Sequence, residues 1–224
     1  MEINDGKTDN CADWFYPAWA SKAAYNKPII VKDTDSGFGR YSLKTKEIGI
    51  KDLARLHGHM CEGLVIAFVE VKGVLEKLFP DGVVDRTDLR AVSKNGPCAV
   101  DVVALMTGAR INFQTLRIDN TIGLGFIIQK ISTGQTYDVH LKPAVFPKEH
   151  ADLVSKIRKA HSRGIPVSKS DIDAYEKMAD ALSLKLLSTP PTELLVIKKL
   201  LGYKFSATDL FGDRGDIINK EMPR

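Results

Sequence analysis

A chain of 224 residues has ample length to bury a core, and 44% hydrophobic with 27% charged residues is the composition of a soluble globular protein rather than a disordered or fibrous one. The formal charge of +4, from 32 basic and 28 acidic side chains dispersed along the sequence, is too mild to argue for nucleic acid or a membrane surface as partner. The cysteines, Cys11, Cys61 and Cys98, do not make a disulfide framework and read as free thiols or ligands, and the longest apolar run, Leu64 to Val69, is too short to span a bilayer. Met1 to Asn10 is polar and acidic, unlike a signal peptide, so the expected location is the cytoplasm unless a leader has been removed.

Residues 1–45 read as an irregular N-terminal arm. Trp14-Phe-Tyr-Pro-Ala-Trp19 concentrates aromatics that either dock the arm on the core or on a second protomer, or wall a ligand pocket. Asp33-Thr-Asp-Ser-Gly-Phe-Gly39 is rich in turn formers, and Cys11 has no His or Cys near it in sequence. A core domain is expected over 46–201, with a polar tail over 202–224.

From Leu53 the apolar positions Leu56, Met60, Leu64, Ala67, Val71, Leu75 and Leu78 recur at intervals of three and four, which predicts one long buried helix ending near Phe79-Pro80. Gly58 and Gly63 are its weak points, so a bend is expected at its start. Asp88 to Ser93 alternates as a strand does, and Asn95-Gly96-Pro97 turns into a helix over 98–107 that stops at Gly108. Leu116 to Asp119, Ile122 to Ile131 and Thr136 to Leu141 read as strands, the last two joined as a hairpin by Ser132-Thr-Gly-Gln135. Pro147 opens a helix to Ser162, and Ser170, with Asp173 in the capping-box position, opens another that ends at Pro190-Pro191. Leu194 to Leu201 is apolar, of a type the pattern leaves open. Strands and helices in this order, with hairpin signals, predict an α+β fold: an antiparallel sheet packed with helices.

The chemistry concentrates in His57-Gly-His-Met-Cys-Glu-Gly63. Two imidazoles and a thiol at this density suit a transition metal such as zinc, with nickel or iron as alternatives. On a helix His57 and Cys61 would share a face while His59 pointed roughly 200° away; in an extended segment all three would lie on one side. Either way further donors are needed. Cys98 is the second candidate, placed in the first turn of a helix where free backbone amides and the helix dipole favour a thiolate. Asp101 shares its face and could orient a ligand or approach a metal. His150 and His161, on a basic helix, read as surface or partly buried side chains; His140, at a strand end, is the one positioned to border a pocket.

The set His57-Gly-His-Met-Cys-Glu-Gly63, an apolar helix, Cys98-Ala-Val-Asp101 and Thr107-Gly108 resembles the FmdE family, named for its occurrence beside formylmethanofuran dehydrogenases, whose pattern is His-Gly-His-x-Cys-Pro-Gly followed by a Cys-x-x-Asp-Ala helix ending in Thr-Gly. Pro190 to Leu194 matches its late Pro-Pro-x-Glu-Leu pattern, so the resemblance spans roughly residues 50 to 200. It implies a homodimeric α+β core with a metal or reactive site where His59, Cys61 and Cys98 meet, His57 being a ligand or a supporting donor. It also implies a link to molybdenum or tungsten enzymes, without carrying over a formylmethanofuran reaction. This chain departs from the pattern in three places. Glu62 stands where proline is usual, the segment after Gly108 lacks the usual Thr-x-Gly-Lys, and no cysteine follows Cys98, so the C-terminal zinc finger of some relatives is not expected.

Three function classes follow. The first is a metal-binding accessory protein or metal-dependent enzyme acting on a small-molecule substrate or with a redox-enzyme partner. The second is a metal-free thiol enzyme with Cys98 as nucleophile and His59 or His57 as base. The third is a metal or cofactor carrier without turnover, which would use the same ligands as the first.

Overall fold

The computed structural model describes residues 13–207 and 218–222. Cys11 and much of the C-terminal tail therefore lie outside the described residues. The fold is α+β. A five-stranded sheet is built from β4 (Leu89–Ser93), β5 (Leu116–Ile118), β6 (Phe126–Lys130), β7 (Thr136–Leu141) and β8 (Leu195–Leu200), in the order β5-β4-β6-β7-β8. It is antiparallel except for the β4–β5 pair, which is parallel because α3 (Pro97–Thr107) crosses between those strands. A small sheet, β2-β1-β3, comes from β1 (Ile29–Lys32), β2 (Lys46–Ile48) and β3 (Val83–Asp85). The stretch expected to be irregular throughout thus contains a strand. β1 pairs antiparallel with β2 and parallel with β3.

The expected long helix is two helices. α1 (Ile50–His57) ends at Gly58, whose φ of +107° is the left-handed region that glycine enters without strain. α2 (Glu62–Leu78) starts afresh at Cys61, whose Sγ caps it by accepting the Leu64 N–H at 3.4 Å. Between them Met60 N–H donates to Phe15 O at 2.8 Å, so the aromatic arm pins the break. Phe15, Tyr16 and Trp19 pack against the core while Trp14 stays exposed, which is the docked-arm alternative.

α2 is the central element. It packs on α3 and α5 (Lys169–Ser188) and on strands β6, β7 and β8. Leu64, Phe68 and Leu75 are fully buried along it, each contributing about 1.5–3 kcal/mol by leaving water. Its approach to β8 is close enough that a Cβ on Gly73 would stand 2.4 Å from Leu195 Cδ1. β8 is the apolar stretch whose type the pattern left open; it pairs with β7 along its whole length. α3 begins as expected, with Gly96 as cap and Pro97 at its first position, and ends at Gly108. α5 starts two residues earlier than the sequence suggests, because Ser168 rather than Ser170 accepts the first free amide, that of Asp171. α4 (Lys148–Ser162) lies against α5, and a short α6 (Pro191–Leu194) leads into β8. No described helix is long and apolar enough to cross a membrane.

Candidate metal centre

The packing of α1 and α2 against α3 brings together the ends of all three helices. His57 is the last residue of α1, Cys61 caps α2, and Cys98 is the second residue of α3. Neither backbone geometry considered for the histidine stretch applies whole: the segment is helical to His57, reverses at Gly58, and is extended at Cys61. The result is that ligand atoms of His57, His59 and Cys61 all lie within 4.8 Å of one another. Cys98 adjoins them from across the interface, its Sγ 3.3 Å from Cys61 Sγ and 3.6 Å from His57 Nε2. His57 Nε2 is 3.9 Å from Cys61 Sγ. The approach of Cys98 depends on Gly63, where a Cβ would stand 3.0 Å from the Cys98 sulfur.

His57 is the best-anchored member. Its Nδ1 sits 2.7 Å from Asp101 Oδ2, so an Nδ1–H donates to the carboxylate and Nε2 is left facing the sulfurs. Its side chain is 8% exposed, against 41% for Asp101. Burial works to lower the His57 pKa, but the Asp101 hydrogen bond and the Cys61 charge outweigh it, and the net shift is upward. Asp101 thus holds the orienting role read from its position on the helix face, acting on an imidazole from another helix. His59 is exposed and tilts against His57 with ring centroids 5.3 Å apart.

The two sulfurs shift one another's pKa in opposite directions. The Cys98 S–H is the main cause holding Cys61 down to about 5; the Leu64 amide and the nearby His57 and His59 add to it, against the opposing effect of burial. Cys98 is pushed up, first by its hydrogen bond to Cys61 and then by burial. Cys61 is the N-cap of α2, where the Leu64 amide donates to its sulfur, and Cys98 stands in the first turn of α3 as its sequence position suggested.

Sequence reasoning missed a second cluster beside the first. Glu62 Oε1 accepts the Tyr175 hydroxyl at 3.1 Å, and Glu62 Oε2 lies 2.6 Å from His150 Nε2. His150 is buried rather than superficial, at 5% exposure. Burial and the Glu62 charge push the Tyr175 hydroxyl up to about 12, which keeps it a donor. These residues come from α2, α4 and α5, so no local spacing could reveal them; the one signal was a carboxylate at the position where proline is usual. His140 is half-buried with Nδ1 3.7 Å from Asp138, and it does not line the adjacent cavity. That cavity, of about 820 Å³, opens against Glu62 and Gly63 and is walled by α4.

A family model described as FmdE, molybdenum formylmethanofuran dehydrogenase operon, matches residues 56–196, which contain every candidate ligand and Asp101. No curated protein matches the chain.

Proposed function

The chain belongs to the FmdE family, and on that premise we propose a metal-binding core protein of molybdenum- or tungsten-linked redox metabolism, with His57, His59, Cys61 and Cys98 holding a transition metal. The observation that supports this most is the placement of His57 Nε2, 3.6 and 3.9 Å from the two sulfurs while Nδ1 is tied to Asp101. Donors bound tetrahedrally at about 2.0–2.3 Å stand roughly 3.3–3.8 Å apart, and the three donor atoms, separated by 3.3, 3.6 and 3.9 Å, are close to that spacing. Two nitrogens with two sulfurs suit zinc first, and nickel or iron after it. When bound, such an ion supplies Lewis acidity to a small-molecule substrate. The chain's own residues do the rest. Asp101 fixes the His57 tautomer, the Leu64 amide holds the Cys61 sulfur, and Glu62 with Tyr175 and His150 can hold or pass a proton at the cavity wall.

Cobalt titration tests the ligand set. Two thiolates give an intense sulfur-to-cobalt absorption, which should fall by about half in Cys98→Ser and fall again in Cys61→Ser. An unchanged band in both variants would remove the sulfurs from the site. A second reading, a metal-free thiol enzyme, draws on the lowered Cys61 pKa. It requires a cysteine alkylated by iodoacetamide at neutral pH at a rate that chelators do not change, whereas protection lost on adding chelator supports the metal. A carrier without turnover would use the same ligands and would pass its metal to an acceptor protein. The homodimer expected of the family is checked by light scattering.

A further inference from the structure

Three chemically distinct sets of side chains line the cavity beside the centre. The first is apolar: Ile66 and Ala67 of α2, Phe126 of β6, Leu141 of β7 and Phe146. The second is cationic and more exposed: Lys94, half-buried, and the exposed Arg158 and Lys159 of α4, none of which makes an ion pair with a described residue. The third is the buried Glu62–His150 pair, next to Cys61 in the chain. His150 Nε2 and Glu62 Oε2 lie 2.6 Å apart, both buried, and neither makes a regular hydrogen bond. A buried imidazole–carboxylate pair of this kind is stabilised by a further polar group that bonds to it. The buried Glu70 adds one more polar group to the same wall.

A volume of about 820 Å³ falls within the range of small-molecule sites. Uncompensated cations in the lining select a negative head group, and the apolar side chains select a hydrocarbon or aromatic body. We propose that the cavity binds an amphiphilic organic anion, a carboxylate or a phosphate ester, whose charged end meets Lys94, Arg158 and Lys159 and whose apolar body lies along Ile66, Phe126 and Phe146. A polar group at the far end of that body then reaches His150 and Glu62, beside the thiols. Naming this anion as the substrate class of the centre rests on the metal-binding reading; the binding itself does not.

Isothermal titration of the full chain with octanoate, octyl phosphate and octyltrimethylammonium tests the proposal. Both anions bind and the cation does not; whichever anion binds more tightly identifies the head group. Arg158→Glu with Lys159→Glu, on the exposed face of α4, weakens anion binding at least tenfold, and Val154→Trp, which fills the cavity from α4, abolishes it. Equal affinity for the anions and the cation, or anion binding undiminished in Val154→Trp, overturns the proposal. So does a dimer, seen by light scattering, that seals the cavity and binds none of the probes. Metal content is measured in the same samples: metal present without anion binding defeats this inference alone, and anion binding without metal defeats only the metal-centre reading.

Discussion

Replacing Glu70 by Gln removes the one carboxyl buried in the middle of α2. Glu70 is 4% exposed, and its Oε1 accepts the Leu141 N–H at 2.8 Å, which ties α2 to the end of β7. Burial is the main cause raising its pKa from 4.5 to about 7; the Leu141 amide opposes the rise and Asp138 adds to it. The folded chain therefore binds this proton more tightly than the unfolded chain does. The stability it contributes is fully present below the unfolded value near 4.5 and is lost as pH rises through about 7. At about 1.4 kcal/mol per pH unit, that displacement corresponds to about 3 kcal/mol. Gln keeps the carbonyl that accepts from Leu141 and cannot ionise. Urea denaturation across pH 4 to 8, in chelator, should show the two proteins diverging as pH rises, the variant being the more stable by up to about 3 kcal/mol at the alkaline end. A stability difference that stays constant over that range would show that Glu70 does not titrate there.

Three further outcomes follow from the geometry. Gly63→Ala places a Cβ 3.0 Å from the Cys98 sulfur; zinc affinity, measured by competition with a chromophoric chelator, should fall about tenfold while the circular dichroism of the chain is unchanged. Asp101→Ala removes the acceptor of the His57 Nδ1–H and should weaken zinc by about 10- to 100-fold in the same assay, with little effect on melting of the metal-free chain because Asp101 is 41% exposed. Gly125→Ala puts a Cβ 1.8 Å from the Val139 carbonyl at a residue with φ of +89°; it should cost at least about 3 kcal/mol in denaturant unfolding, since backbone must move on both strands.

Much of the fold was legible where a local signal has one physical meaning. Gly96-Pro97 fixed the start of α3 because a missing N–H costs nothing there, and the turn at Ser132 to Gln135 joined β6 to β7 as expected. β1, β2 and β3 escaped because they are only three or four residues long, too short for an alternating pattern to show, and Lys46-Glu47-Ile48 has a single apolar residue; their stability comes from pairing with distant partners. Ile122 to Leu124 carried the apolar pattern of β6 yet lies before the strand, which begins at Phe126 after Gly125 turns with positive φ. The apolar stripe from Leu53 to Leu78 hid a complete break, since Leu53 and the residues from Leu64 onward are buried on both sides of Gly58, while Leu56, read as part of the stripe, is 64% exposed.

The centre was legible to a similar degree. Cys61 and Cys98 meet as expected, and Asp101 holds an imidazole as its position suggested. That the imidazole is that of His57 could not be read, because the two residues are brought together only by packing of α1 on α3. The pairing of Glu62 with His150 and Tyr175 was out of reach for the same reason. A histidine on a basic, largely exposed helix looks superficial until its neighbours across the cavity are known.

In the proposed centre the histidine and cysteine side chains bind one ion together. Elemental analysis of the chain purified without added metal, beside the Cys61→Ser, Cys98→Ser double variant, tests that directly. About one transition-metal ion per chain is predicted for the parent and less than roughly a tenth of that for a folded double variant. Equal metal content in the two proteins would contradict it.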